Sequence, residues 1–125
     1  MSAERRYLDS HEIDIKKLWK IAADKPVLVL PLTVFKAIHK KKYWSCKLGE
    51  PISAYEVLQD PSRAPEHVKK TQKADLSFPI ILAESNLDIL DGLHRLNKSM
   101  ALGRTEIKAQ LISLRDLELC FGVGI

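Results

Sequence analysis

Cysteine is scarce in this chain. Cys46 and Cys120 are the two among 125 residues, far apart and without the close spacing of a metal site or a disulfide framework. They are expected to be free thiols in a reducing, cytoplasmic setting. Long apolar runs are also missing. None approaches the ~18 residues a membrane helix needs, so no membrane partner is expected. The longest apolar stretch, Pro26 to Phe35, has core length. No apolar segment follows Met1-Ser2-Ala3-Glu4-Arg5-Arg6, so no secretory leader is expected. With five glycines and six prolines there is no low-complexity segment and no linker, and no internal repeat recurs. One domain spanning 1–125 is expected.

What is present is an ordinary globular composition, 46% hydrophobic and 29% charged, long enough to bury a core without staples. The net charge is +4 and the pI about 9.1. That balance suits an anionic partner and is equally common in proteins that bind none.

Periodicity and punctuation then divide the chain. Residues 1–9 are polar and read as loose. Ser10 can cap a helix over His11–Ala23, with Ile13, Leu18, Ile21 and Ala22 as its stripe and Trp19 beside it. Val27–Leu30 reads as a short buried strand. Thr33 can cap a helix over Val34–Lys42, ending in the cationic run His39–Lys42, which the helix dipole alone would favour. Ser53 and Glu56 have capping-box spacing and open a helix to Gln59. Pro65 suits the first position of a helix to Lys73. Phe78–Ala83 and Leu87–Leu90 read as strands joined by a tight turn, antiparallel to one another. Leu93–Leu102 is a helix stopped by Gly103. Glu106–Ser113 alternates as a half-buried strand, and a short helix over Leu114–Cys120 follows, before a tail at 121–125. Mixed helices and strands with one tight strand–strand turn favour α+β: a small domain with a curved mixed sheet and flanking helices.

The chemistry concentrates in Asp88-Ile89-Leu90-Asp91-Gly92-Leu93-His94-Arg95-Leu96. A strand runs into an Asp-Gly turn, and a helix opens with His94 and Arg95 in its first turn. First-turn amides lack intrahelical acceptors and sit at the positive end of the dipole. Gly92 allows a sharp turn and close approach of a ligand. The natural guest is an anion, most often phosphate, on the amides of Leu93, His94 and Arg95. The Arg95 guanidinium offers a fork to phosphate; its alternative is a salt bridge to Asp88 or Asp91. His94 can donate to a phosphate or act as an acid, or it can pack over the turn. Asp91 can be a catalytic or Mg²⁺-binding carboxylate, or simply hold the turn. His67 and Asp75 lie near enough in sequence to the Pro79 strand to reach the same turn. Lys69, Lys70 and Lys73 form a solvated face that can steer an anion. Tyr43 and Trp44 can stack on a base or belong to the core.

Four ordered pieces carry a resemblance: Ser77-Phe78-Pro79-Ile80-Ile81-Leu82, then Asp88 to Leu96, then Met100-Ala101-Leu102-Gly103, then Ile107 to Ile112. Over about residues 74–113 the chain resembles the ParB/sulfiredoxin superfamily, in its Asp-Gly-x-His-Arg branch. The resemblance implies the same α+β fold, with Gly92, His94 and Arg95 contacting nucleotide phosphates. It implies a ligand such as ATP, ADP or CTP, with Mg²⁺ as a companion and phosphoryl transfer or hydrolysis as the chemistry. Family members described as nucleases keep a nucleic-acid partner open, and a non-catalytic nucleic-acid module is the alternative. Leu93 stands where a sulfiredoxin has its catalytic cysteine, so thiol phosphorylation has no nucleophile here. The partition proteins usually carry Arg at the position of His94.

Overall fold

The structure is a computed structural model that describes residues 6–8, 11–46 and 48–120. Its centre is a four-stranded mixed sheet made of β3 (Leu28–Pro31), β6 (Ile80–Ala83), β7 (Ile89–Asp91) and β8 (Glu106–Ile112), in the order β3-β8-β6-β7. The expected α+β class holds. β8 lies parallel to β6, while β3 and β7 run antiparallel to their neighbours. Two small hairpins flank it: β1 (Arg6–Leu8) with β2 (His11–Ile13), and β4 (Trp44–Ser45) with β5 (Pro51–Ile52). The helices are α1 (Ile15–Ala22), α2 (Lys36–His39), α3 (Ala54–Gln59), α4 (Pro65–Lys73), α5 (Leu93–Ala101) and α6 (Leu114–Glu118).

Both faces of the sheet are covered, so β6 reads Ile-Ile-Leu-Ala with all four residues buried. Ile80 and Leu82 face a core with Phe35, Ala54, Leu93 and Leu96. Ile81 and Ala83 face the opposite core with Leu18, Ala22, Ile112 and Leu117. β8 alternates as expected in its first half, where Glu106 and Lys108 are exposed, and is covered on both sides toward its end, where Gln110 bonds to α1 and Ile112 packs with Leu117 of α6. Gln110 is satisfied there, donating both N–H groups to the carbonyls of Ala22 (2.8 Å) and Lys25 (3.0 Å).

Several elements follow the expected punctuation. α3 carries the complete Ser53–Glu56 capping box, and α4 starts on Pro65. α5 ends in a left-handed Gly103, with the Gly103 amide on the Met100 carbonyl and the Arg104 amide on that of Ser99, a Schellman closure. Ser113 caps α6, which ends at Glu118. Cys46 and Cys120 are free and buried.

Other elements differ from expectation. The first helix begins at Ile15, because Asp14 accepts the amides of Lys16 and Lys17 and His11–Ile13 pairs with Arg6–Leu8. The proposed Ser10 cap and the tail after Cys120 lie outside the described residues. The Val27–Leu30 strand is an edge, not a buried strand: it pairs with β8 alone, and Val27, Leu28 and Val29 are exposed. Thr33 does not cap a long helix. Leu32–Phe35 forms a 3₁₀ turn, and α2 is the single helical turn after it. Lys40–Lys42 thus lie beyond the helix.

Candidate functional site

β6 and β7 set the site. Ile81 opposes Asp91 and Leu82 opposes Ile89, so Leu90 is an extra residue, a bulge. Directly opposed residues share a sheet face. Ile89 sides with Leu82 against the α5 core, and the bulge then puts both Leu90 and Asp91 on the α1 face with Ile81. Without it Asp91 would point toward α5. In place, its Oδ2 accepts the Trp19 indole N–H from α1 at 2.8 Å. The same oxygen lies 3.6 Å from Arg95 Nη2.

Gly92 follows with φ +109° and caps α5 without a side chain. A Cβ there would meet Ile80 Cγ2 at 2.7 Å and Arg95 Nη1 at 2.9 Å. The backbone can turn this tightly over β6 only with glycine. Arg95 Nη1 donates to the Pro79 carbonyl at 2.8 Å, and its side chain stays partly exposed. Of the two carboxylates considered for Arg95, Asp91 is the partner. Asp88 is held by Lys41 and Tyr43 instead. Arginine has five N–H donors in a fixed fork, so these two contacts set its orientation and leave donors over.

α4 closes the other side. Lys98 of α5 donates to the carbonyls of Gln72 and Ala74, both at 2.8 Å. A cation at a helix C-terminus is favoured by the dipole and by the unpaired carbonyls there, so α4 ends against α5. The result is a cleft of about 420 Å³ lined by Lys70, Lys73, Asp75, Gly92, His94 and Arg95, among others. Asp75 Oδ1 accepts from the Ser77 amide and hydroxyl, at 2.9 and 2.7 Å. Those bonds, then the charges of Lys98 and Arg95, hold its carboxyl below the usual range, so it is ionised at neutral pH.

His67 does not line the cleft, yet it is joined to it. Its Nδ1 lies 2.9 Å from His94 Nε2, a hydrogen bond that holds one proton between two imidazoles. Both rings stack on Trp44, at 4.1 Å for His67 and 4.6 Å for His94. The imidazole centroids are 5.2 Å apart, too close for opposite faces of the indole, so the pair lies side by side on one face. The β4–β5 hairpin holds Trp44 in this position, with Ile52 opposite it. The core reading of Trp44 is the one that fits, since it packs against two apolar clusters.

The site residues read from the sequence therefore divide. Gly92, His94, Arg95, Asp75 and Asp91 line one cleft. His67 stands behind His94. Leu93 is buried among apolar residues, so only its backbone faces the turn. Asp91 is a positioning carboxylate in this geometry, tied to Trp19 and Arg95. Two aromatics near the site were not read as site residues: Trp19, off the apolar stripe of α1, and Phe78, just ahead of β6; both are exposed.

The lysine run is dispersed. Lys40 sits 5.1 Å over the Tyr55 ring, Lys41 pairs with Asp88 at 3.1 Å and Lys42 with Glu56 at 2.6 Å. Three neighbours in sequence thus have three different partners. Among the described residues no group of three or more His, Cys, Asp or Glu is placed to hold a metal ion, and no helix is long and apolar enough to cross a membrane. No protein-family model, curated protein or solved structure matches this chain.

Proposed function

We propose that the chain binds a phosphate-bearing ligand, a nucleotide such as ATP, ADP or CTP, in the cleft between α4 and α5. One observation carries this reading: the glycine-capped start of α5, Arg95, Lys70 and Lys73 converge on a single cleft of about 420 Å³. That volume lies in the range of ligand sites. The first-turn amides and the dipole favour an anion at that end of α5. Arg95 would grip a phosphate through its spare donors. The resemblance to the ParB/sulfiredoxin superfamily points to the same turn.

The His67–His94 pair would supply an acid–base group at the cleft. The reading is one of binding: no hydroxyl or thiol side chain lines the cleft among the described residues. A Mg²⁺ ion fits as a companion of the ligand's phosphates, since such ions are held by one or two carboxylates plus phosphate oxygens. Asp75 and Asp91 are the two carboxylates that line the cleft, each with one oxygen already engaged in two contacts.

The test is calorimetry with ATP, ADP and CTP, with and without Mg²⁺, on the parent chain and Arg95→Ala. Losing a charge-assisted contact costs roughly 1.5–3 kcal/mol, so affinity should fall on the order of tenfold to a hundredfold. Circular dichroism should show the variant folded. Equal affinity in a folded Arg95→Ala, or no binding by the parent, would remove the proposal.

A further inference from the structure

A second cleft adjoins the first. It has a volume of about 610 Å³ and is lined by Trp19, Ala22, Phe78, Pro79, Ile81 and Gln110, together with Asp91 and Arg95. Phe78, Asp91 and Arg95 belong to both clefts, so the two adjoin at the Asp91–Arg95 pair. One is basic and the other apolar.

We infer that the apolar cleft takes the aromatic base of the nucleotide whose phosphates occupy the basic one. This rests on the phosphate reading above. Trp19 and Phe78 are 51% and 60% exposed, an uncommon placement for two large aromatics lining one cavity. Trp19 is anchored: its N–H is bonded to Asp91 at 2.8 Å, which fixes the ring's edge and leaves its faces to stack. Gln110 adds a polar element. Its two N–H groups are spent on Ala22 and Lys25, which settles the amide's orientation, so an acceptor oxygen is what it has left. An alkyl chain would bury that acceptor without a donor, at a free-energy cost. A nucleobase offers both a face for the aromatics and an N–H for the oxygen. The Asp91 Oδ2 that anchors Trp19 also faces Arg95, so base and phosphate would be read by one connected set of side chains.

The experiment compares inorganic tripolyphosphate, ATP, CTP and decyl phosphate by calorimetry on the parent, Trp19→Ala and Phe78→Ala. Phe78 is exposed, so its replacement should not disturb folding. Binding of nucleotides more tightly than tripolyphosphate is expected. Each variant should weaken the nucleotides by about tenfold more than it weakens tripolyphosphate, in line with the stacking of one base. Nucleotides no tighter than tripolyphosphate, or variants that weaken both alike, would overturn the base assignment while the phosphate site stands. Decyl phosphate as tight as ATP would also overturn it, in favour of an amphiphile. Failure of every probe, tripolyphosphate included, would overturn the phosphate reading and this inference with it.

Discussion

At Gly92 conformation and space act together. Its φ of +109° lies where side chains are strained, and Ile80 Cγ2 stands 2.7 Å from where a Cβ would be. The neighbour is a buried strand residue, which has little room to yield. Gly92→Ala should therefore destabilise the fold by about 1–3 kcal/mol and displace the start of α5. Urea unfolding measures it, and a change below about 0.5 kcal/mol, the range of ordinary surface substitutions, would contradict this account of the turn. The need for glycine here was legible in the sequence, because Asp-Gly between a strand and a helix marks such a turn. The direction of Asp91 was not. Alternation along β7 puts Asp91 on the face of Ile89, and only the Leu90 bulge turns it toward Trp19. A bulge is a property of two paired strands, and no local pattern in one of them announces it.

Elements were legible in proportion to their local signals. α3, α4 and α5 carry a capping box, an N-terminal proline and a C-terminal glycine, and each lies close to its expected place. β3 shows the limit: a run of Val and Leu looks alike in a central or an edge strand, and only the sheet order exposes it. The Trp44–His67–His94 stack was illegible for a related reason, since its members come from β4, α4 and α5 and meet only once those elements pack. α2 depends on packing as well, being one turn long. Its buried His39 donates from Nε2 to Asn97 Oδ1 of α5 at 2.7 Å. Burial holds the His39 pKa below its ordinary value of 6.5, against the Asn97 bond, which raises it. At acidic pH the unfolded chain then binds a proton that the folded chain resists. Stability rises with pH through this window and is lost as pH falls from about 6.5 toward the folded value. His39→Gln removes the titration and keeps an N–H for Asn97. Urea midpoints at about pH 7.5 and about pH 5.5 should fall further for the parent than for the variant. An equal fall in both would assign the acid sensitivity elsewhere.

Over the whole molecule the +4 charge acts by its placement. Lys70 and Lys73 line the α4–α5 cleft, whereas Lys40, Lys41 and Lys42 turn to Tyr55, Asp88 and Glu56. The sequence shows the second group as the denser cationic run, and the fold divides it. A phosphate site and a nucleic-acid surface therefore draw on different lysines. Removing Lys70 and Lys73 together as glutamines should weaken ATP and tripolyphosphate by roughly fivefold at low salt, and flatten the salt dependence of binding, because screened charges near an anion act this way. Replacing Lys40, Lys41 and Lys42 together should leave both affinities within about twofold, since exposed pairs of this kind contribute little. Duplex DNA or RNA titrated over a salt series gives the contrary outcome its chance. Tight binding that falls steeply with salt and disappears in the triple variant would move the functional surface from the α4–α5 cleft to the turn after α2. Weak binding that the triple variant does not change would leave the cleft as the place where this chain meets anions.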